Sequence, residues 1–290
     1  MKTDRRYIHS AALGLVDSPD RLDQLRAIGD PLYALDGVMD WTIFGPVLDR
    51  IPRAVPKGPG GRPAFPPLWM FKILVVQSLY GLSDEQTQFQ ILDRDSFQRF
   101  LGLNKADTVP DQNTIREFRE KLTKAELFGE LFSAFDARLA DRGFITRKGQ
   151  IIDASFVEVP RQRNSQTLDT LTCKGDPETW ADSAYAGANC KEILQRKGIV
   201  AHLCEKGTRG HALSKGQKRS NRAKSRKRVR VEHIFGFMTG SMNAMFQRCV
   251  GFARNKAGIL LANLVYNMAR TEQIIRLRLL GRKTPVLVDA

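Results

Sequence analysis

A run of positive charge between Lys206 and Val231 restricts what this chain can fold into. The run contains eleven Lys or Arg residues and no Asp or Glu, and it ends at Glu232 in RVRVEHIFG. Its composition fits either a solvated face or a disordered basic tail. An ordered helix is favoured because apolar residues mix into its end, namely Val229, Val231, Ile234 and Phe235. The lone carboxylate beside this field is suited to holding a metal ion against a nucleic-acid phosphate.

The two halves of the chain differ strongly in charge. Residues 1–146 contain 19 basic and 20 acidic side chains, whereas residues 147–290 contain 27 and 11. The whole net charge of +15 therefore lies in the second half. Each lysine or arginine placed on a phosphate releases condensed counterions, so the asymmetry predicts a polyanionic partner.

Length and composition indicate a globular chain. With 290 residues, 42% of them hydrophobic, the chain is large enough for one to three domains with real cores. No apolar run at the N-terminus resembles a signal peptide, and the most apolar stretch, 257–268, is too short to span a bilayer. We therefore expect a cytoplasmic protein with no membrane partner. The four cysteines form no CxxC pair, which predicts free thiols.

Helix signals dominate the first half. Pro66 and Pro67 precede the apolar segment 68–79, and this position is typical of the first turn of a helix. Two capping boxes predict further helix starts, Ser83 with Gln86 and Thr123 with Glu126. The helix after the second box would bury one apolar stripe, made of Phe128, Leu131, Phe132, Phe135 and Leu139.

A linker and a charged helix complete this half. The sequence PKGPGGRP at 56–63 cannot continue a helix or a central strand, so it separates an N-terminal arm, 1–55, from a helical domain, 56–146. Residues 111–122, DQNTIREFREKL, predict a capped helix that exposes Arg116 and Arg119. This is either the DNA-contacting helix of a helix-turn-helix-like unit or an amphipathic packing helix.

The pattern changes to alternating strands and helices after Gly143. Residues 150–159, QIIDASFVEV, predict a strand carrying Asp153, and a second strand ends at Asp182 in ETWADSAYAG. A helix at 189–197, with a capping box of Asn189 and Glu192 and closure at Gly198, and a buried strand at 199–204 are expected next. This alternation predicts an α/β sheet, in which functional groups gather at the carboxyl ends of the strands. An aspartate within a strand needs compensation, either from a cation or from structural hydrogen bonds.

Several segments together resemble one family. They are GRPAFPPLWMFKILVVQSLYGLSDEQ, RFLGLNKADTVPDQNTIREFREKL, IIDASFVEVPRQRN, TWADSAYAG and RVRVEHIFG, in that order. They are similar to bacterial insertion-sequence transposases of the DDE type, which have an N-terminal helical domain and a ribonuclease H-like catalytic domain. The resemblance implies a mixed α/β fold in which residues 147–290 form the catalytic domain.

The resemblance also implies the chemistry. Asp153, Asp182 and Glu232 would hold two Mg²⁺ ions for strand cleavage and strand transfer at terminal inverted repeats, because magnesium prefers oxygen ligands. Arg228 would bind a phosphate, or pair with Glu232 one turn later. The basic run and the 111–122 helix would contact double-stranded DNA through Lys218, Arg219, Arg222, Arg226, Lys227, Arg228, Arg230, Arg116 and Arg119. A homo-oligomer acting at the nucleoid is expected.

One departure from the family concerns the spacing of the two aspartates. Asp182 follows Asp153 by 29 positions, whereas relatives insert two strands and a helix there. The polar stretch 161–177 is too short for those elements. The strands that carry the aspartates can still pair in parallel, with the Asp153 strand at an edge. We therefore hypothesise an internally deleted copy with a truncated ribonuclease H-like domain. The alternative function is an impaired transposase that retains only DNA binding.

Overall fold

The computed structural model describes residues 18–52, 64–104, 107–144, 150–152, 168–169, 172, 176–207, 211–244 and 250–279. Helices occupy the first part, and a small parallel sheet with long helices follows, so the predicted mixed α/β class is confirmed. The described residues fall into two compact units. The first is drawn from 1–77, 82–127 and 267–290, and the second from 78–81 and 128–266.

The first unit is helical. Its elements are α1 (Ser18–Ile28), α2 (Pro31–Val38), a 3₁₀ turn (Trp41–Phe44), α3 (Gly45–Leu48), α4 (Pro67–Leu79), α5 (Asp84–Asp93), α6 (Asp95–Leu101) and α7 (Gln112–Lys124). Helix α6 packs against α1, α2 and α5, and α5 packs against α7. Helix α4 supplies much of the core because its side chains from Met70 to Gln77 are nearly all buried.

The predicted helix starts are partly confirmed. Helix α4 begins at Pro67, and Ser83 and Gln86 form the expected capping box at α5. The second box is wrong, because Thr123 lies in the last turn of α7 and its hydroxyl donates to the Arg119 carbonyl at 2.8 Å. The next helix begins at Leu127, because Glu126 has a φ of 54° and this conformation cannot continue an α-helix.

A buried ion pair joins α2 to α6 within the first unit. One Asp30 oxygen accepts from the Leu32 and Tyr33 amides and caps α2. The other accepts from Arg99 Nη2 at 2.5 Å, and the two side chains are only 4% and 15% exposed. Asp30 therefore accepts hydrogen bonds from the free amides at the start of α2 and also neutralises the buried Arg99 guanidinium.

Helix α8 (Leu127–Asp141) opens the second unit, apart from its first residue. Four members of the predicted stripe are buried, namely Phe128, Leu131, Phe135 and Leu139, and Phe132 is half-buried. The stripe is therefore confirmed. The predicted helical domain, 56–146, included this helix, whereas α8 groups with the sheet-containing unit.

The sheet has three parallel strands in the order β1 (Gln150–Ile152), β2 (Glu178–Ala181) and β3 (Val200–Leu203). Ile152 lies opposite Ala181, and Ala181 lies opposite Leu203. The predicted parallel pairing of the first two strands is therefore confirmed. In the described part of the sheet, β1 is an edge strand. Residues 153–159 of the predicted first strand lie outside the described residues.

Helix α9 (Ala188–Arg196) connects β2 to β3 and packs on β3. Its predicted capping box is wrong, since the N-cap is Gly187 and no side chain caps the helix. Gly198, with φ of 72°, follows the helix end as expected. The strand predicted at 199–204 is confirmed as β3, and Ile199, Leu203 and Cys204 are buried as expected. Its full burial is not confirmed, because Val200 is 57% exposed.

Two long helices complete the fold, α10 (Lys215–Gly240) and α11 (Phe252–Leu279). Within the second unit, the Phe237 ring meets Tyr266 edge-on at 5.9 Å. Gly81 has φ of 61°, and a Cβ there would lie 2.8 Å from the Met242 carbonyl oxygen. In the described residues, no helix is both long and apolar enough to cross a membrane.

Candidate active site and nucleic-acid interface

Asp182 lies at the carboxyl end of β2, directly after Ala181. Its Oδ1 accepts a hydrogen bond from the Ala184 amide at 2.9 Å, which caps a 3₁₀ turn at Ser183–Tyr185. The side chain is half-buried. Because the other carboxylate oxygen accepts from no described group, it is available as a hard oxygen ligand.

Of the other two predicted metal ligands, only Glu232 belongs to the described residues. Asp153 follows Ile152 at the end of β1 and lies outside the described residues. Glu232 is exposed on α10 and forms no ion pair with a described side chain. Among the described residues, no three His, Cys, Asp or Glu side chains gather as a metal site. The trio therefore stays a prediction.

An ordered helix forms from most of the acid-free run. Ser214 caps α10, since its hydroxyl accepts from the Gln217 amide at 3.2 Å while Gln217 Oε1 accepts from the Ser214 amide at 2.8 Å. Helix α10 then continues through Glu232 to Gly240. The helical interpretation of the run is confirmed from Lys215 onward.

Polar side chains attach α10 to the end of β3. Asn221 accepts from the Glu205 amide and donates to the Glu205 carbonyl, both at 2.9 Å. Gln217 donates to the Glu205 carboxylate at 2.6 Å. Lys224 Nζ donates to the Leu203 carbonyl at 2.7 Å. The first three turns of the helix therefore lie at the carboxyl end of β3.

A second group of contacts, built around two stacked rings, attaches α10 to β2. The Trp180 and His202 rings lie 3.8 Å apart with an angle of 11° between their planes. His202 Nε2 lies 3.0 Å from Glu178 Oε2. Lys227 Nζ lies 4.0 Å from the Trp180 ring centroid and 4.0 Å from Glu178 Oε1. Trp180 therefore contacts an imidazole and an ammonium, a cation–π arrangement.

These contacts give α10 a direction relative to the sheet. As the helix proceeds from Gln217 to Lys227, its partners change from Glu205, beyond β3, to Glu178, the first residue of β2. Glu232 lies five residues farther on, about 7.5 Å along the helix axis. No described contact joins Glu232 to Asp182, which follows the last residue of β2.

The predicted DNA-binding side chains of α10 fall into different environments. Lys218, Arg219, Arg222 and Arg226 are exposed, and Lys227 is 56% exposed while contacting Trp180. The side chains of Arg228 and Arg230 lie outside the described residues. Their phosphate contacts stay predictions.

Helix α7 carries the two predicted DNA-binding arginines of the first unit. Arg119 contacts the Asp84 carboxylate and donates to Gln77 Oε1 at 3.0 Å, and its side chain is 24% exposed. These contacts favour a packing role for Arg119. Arg116 is exposed, so a role in DNA binding stays a prediction for that residue.

Sequence reasoning missed the residues that attach α10. Glu178 and Trp180 are two apart in β2, and His202 lies opposite Trp180 in β3. The alternation of a strand was the available signal, because it places Glu178 and Trp180 on one face. The positions of Gln217, Asn221 and Lys224 on one helix face were a second signal.

Two family models match the chain. A transposase domain (DUF772) matches residues 20–121, and a transposase DDE domain matches residues 146–268. No solved structure matches. The two matches cover the helical part and the sheet with α10, in the order that the resemblance implied. The chain is therefore a DDE transposase of the insertion-sequence type.

Proposed function

We propose that this transposase binds the terminal inverted repeats of its insertion sequence and catalyses metal-dependent strand cleavage and transfer. The observation that carries the proposal is the parallel register of β1 and β2, which pairs Ile152 with Ala181. The next residues along the chain are Asp153 and Asp182. Cα atoms of neighbouring residues are about 3.8 Å apart and paired strands about 4.8 Å apart, so the register supports two adjacent carboxylates.

The donor chemistry of these residues fits magnesium. Asp182 presents a half-buried carboxylate, and the trio with Asp153 and Glu232 offers only oxygen ligands. When bound, a pair of divalent ions supplies an activated oxygen nucleophile and stabilises the departing oxygen of a phosphodiester. Asp182 would hold its ion from a fixed position, because the Ala184 amide orients the carboxylate. Glu232 is proposed as the third ligand on the family resemblance.

DNA binding is proposed for the second unit and for Arg116. The support is the exposed charge of α10, which carries nine Lys or Arg residues and one carboxylate. Double-stranded DNA is the expected partner, because its phosphates exchange counterions for these side chains. A homo-oligomer that joins two element ends, in the cytoplasm at the nucleoid, completes the proposal.

A second candidate function is supported by the short connection between β1 and β2. Residues 153–177 link the strands, and β1 is an edge of the described sheet. An edge strand lacks the protection that further strands and a helix provide. An internally deleted copy would bind DNA without cutting it.

Cleavage and binding assays on one set of proteins separate the two candidates. The substrate is a plasmid carrying the coding segment with its native flanking DNA, incubated with Mg²⁺. Wild type is expected to cut at the element ends, while Asp153→Asn and Asp182→Asn bind this DNA normally without cutting it. Asp141→Asn, which changes an exposed aspartate on α8 of the same unit, should cut as wild type does. If wild type binds this DNA without cutting it, the internally deleted copy is supported. If Asp182→Asn cuts as well as wild type, the metal-binding role of Asp182 is refuted.

A further inference from the structure

The cations of α10 whose side chains the structure describes lie on two opposed faces of the helix. One face contacts the sheet through Asn221, Lys224 and Lys227. The other carries a set that we name the outer stripe. Each member lies three or four residues from at least one other member, so the set aligns along the helix. The outer stripe consists of Lys215, Lys218, Arg219, Arg222 and Arg226, all exposed.

The sheet-facing cations already have partners within the protein. Lys224 Nζ donates to the Leu203 carbonyl at 2.7 Å, and the side chain is half-buried. Lys227 Nζ lies 4.0 Å from the Trp180 ring centroid and 4.0 Å from Glu178. Moving either ammonium onto a phosphate would break a contact that attaches α10 to the sheet.

The cations of the outer stripe have no such partners among the described residues. Its five side chains form no hydrogen bond or ion pair with the described part of the chain, and no carboxylate occurs in the helix before Glu232. Like charges one helical turn apart repel, as in Arg222 and Arg226. The stripe therefore gains most from an external polyanion.

The outer stripe is long enough to contact several phosphates of a DNA duplex. Lys215 and Arg226 are eleven residues apart, which corresponds to about 16 Å of helix axis. Each strand of B-DNA presents about one phosphate per 3.4 Å of the duplex axis and winds around that axis, so a straight helix of this length reaches several phosphates but not a consecutive row of five. The five exposed cations therefore suit contact with several phosphates of a docked duplex.

We propose that the outer stripe binds backbone phosphates of duplex DNA, while Lys224 and Lys227 position α10 on the sheet. This assignment rests on the proposed function, because it assumes that the protein binds DNA. It adds Lys215 to the phosphate contacts and removes Lys227 from them. Because phosphate contacts carry no base identity, the stripe holds DNA of any sequence.

The salt dependence of DNA binding tests this assignment. The affinity of the full chain for a short duplex of arbitrary sequence is measured by fluorescence anisotropy between about 50 and 200 mM salt. The Arg222→Gln/Arg226→Gln protein loses two phosphate contacts, so the slope of log K against log salt should shrink by about 1.8. Lys224→Gln/Lys227→Gln removes the same charge from the sheet-facing side and should leave the slope unchanged.

Two controls keep the comparison interpretable. Lys227→Met retains an unbranched side chain against Trp180 and replaces the double variant if circular dichroism shows that the latter loses helix. Lys191→Gln on α9 removes one exposed charge elsewhere in the unit and controls for net charge. Neither should change the slope by as much as one phosphate contact, about 0.9.

The outcomes separate this inference from the proposed function. If wild type does not bind the duplex, the proposed DNA binding fails and the stripe assignment fails with it. If wild type binds but Arg222→Gln/Arg226→Gln keeps the full slope, the stripe assignment alone is overturned. A fall of about 0.9 for Lys227→Met would also overturn it, because that lysine would then contact phosphate. Tighter binding to duplex RNA would overturn the choice of partner.

Discussion

Lys227 is expected to stabilise the second unit through the Trp180 ring, and a double-mutant cycle measures this contact. Trp180 is 8% exposed, with His202 stacked on it at 3.8 Å and Lys227 Nζ 4.0 Å from its centroid. Trp180→Leu removes roughly 80 Å² of buried apolar area, which costs about 2 kcal/mol. The lost stack adds about 1 kcal/mol, and the lost cation–π contact about 0.5 to 1 kcal/mol.

The coupling between Trp180→Leu and Lys227→Met isolates the cation–π contact. We expect about 0.5 to 1 kcal/mol, since Lys227 is half exposed and its 4.0 Å approach to Glu178 contributes little at this exposure. Hydrogen exchange of the β2 amides in the full chain reports the free energy of opening this region for each protein of the cycle.

A matched cycle uses the neighbouring cation on the outer stripe. Arg226→Met combined with Trp180→Leu should be additive within about 0.3 kcal/mol, because Arg226 does not contact the ring. Equal coupling in the two cycles would refute the separation of α10 into two faces. Zero coupling for Lys227 would refute its positioning role.

Three further predictions concern stability and titration. Arg99→Met should cost about 3 kcal/mol in urea unfolding, because it leaves the Asp30 carboxylate buried with no cation, and a loss below about 1 kcal/mol would contradict this. Gly81→Ala should destabilise the chain strongly, lowering its melting temperature, because its φ is positive and a backbone carbonyl oxygen lies 2.8 Å from the new Cβ. The hydrogen bond from Lys197 lowers the pKa of Asp169, so the stability from this contact is present at neutral pH and lost as the pH falls through that lowered pKa. NMR titration should show a higher Asp169 pKa in Lys197→Met, and an unchanged value would contradict the cause.

Local signals predicted local structure well. The proline start of α4, the capping box at Ser83 and the apolar stripe of α8 each depend on residues within a few turns. The Thr123 box failed because the same pattern also fits the end of a helix, where the hydroxyl donates to a carbonyl one turn earlier. Short capping patterns therefore do not determine which helix they belong to.

The site depends on contacts between distant residues, which explains what the sequence alone left open. The family resemblance pointed to Asp182 and Glu232 as partners, but the side chains that orient α10 belong to β2 and β3. The stack of Trp180 on His202 needs the parallel register of two strands 22 residues apart at this pair, and no local pattern contains that register. Similarly, charge alone predicted one DNA-binding run, whereas the packing of α10 divides its cations between sheet and solvent.

Metal binding by the three carboxylates is the most direct test of the catalytic assignment. Mn²⁺ affinity of the full chain, measured by calorimetry with duplex DNA present, should fall at least about tenfold in Asp182→Asn and in Glu232→Gln, because each would remove one carboxylate ligand. Glu192→Gln, an exposed glutamate on α9, should bind Mn²⁺ as wild type does. Wild-type Mn²⁺ affinity in Glu232→Gln would contradict the assignment of that residue as the third ligand.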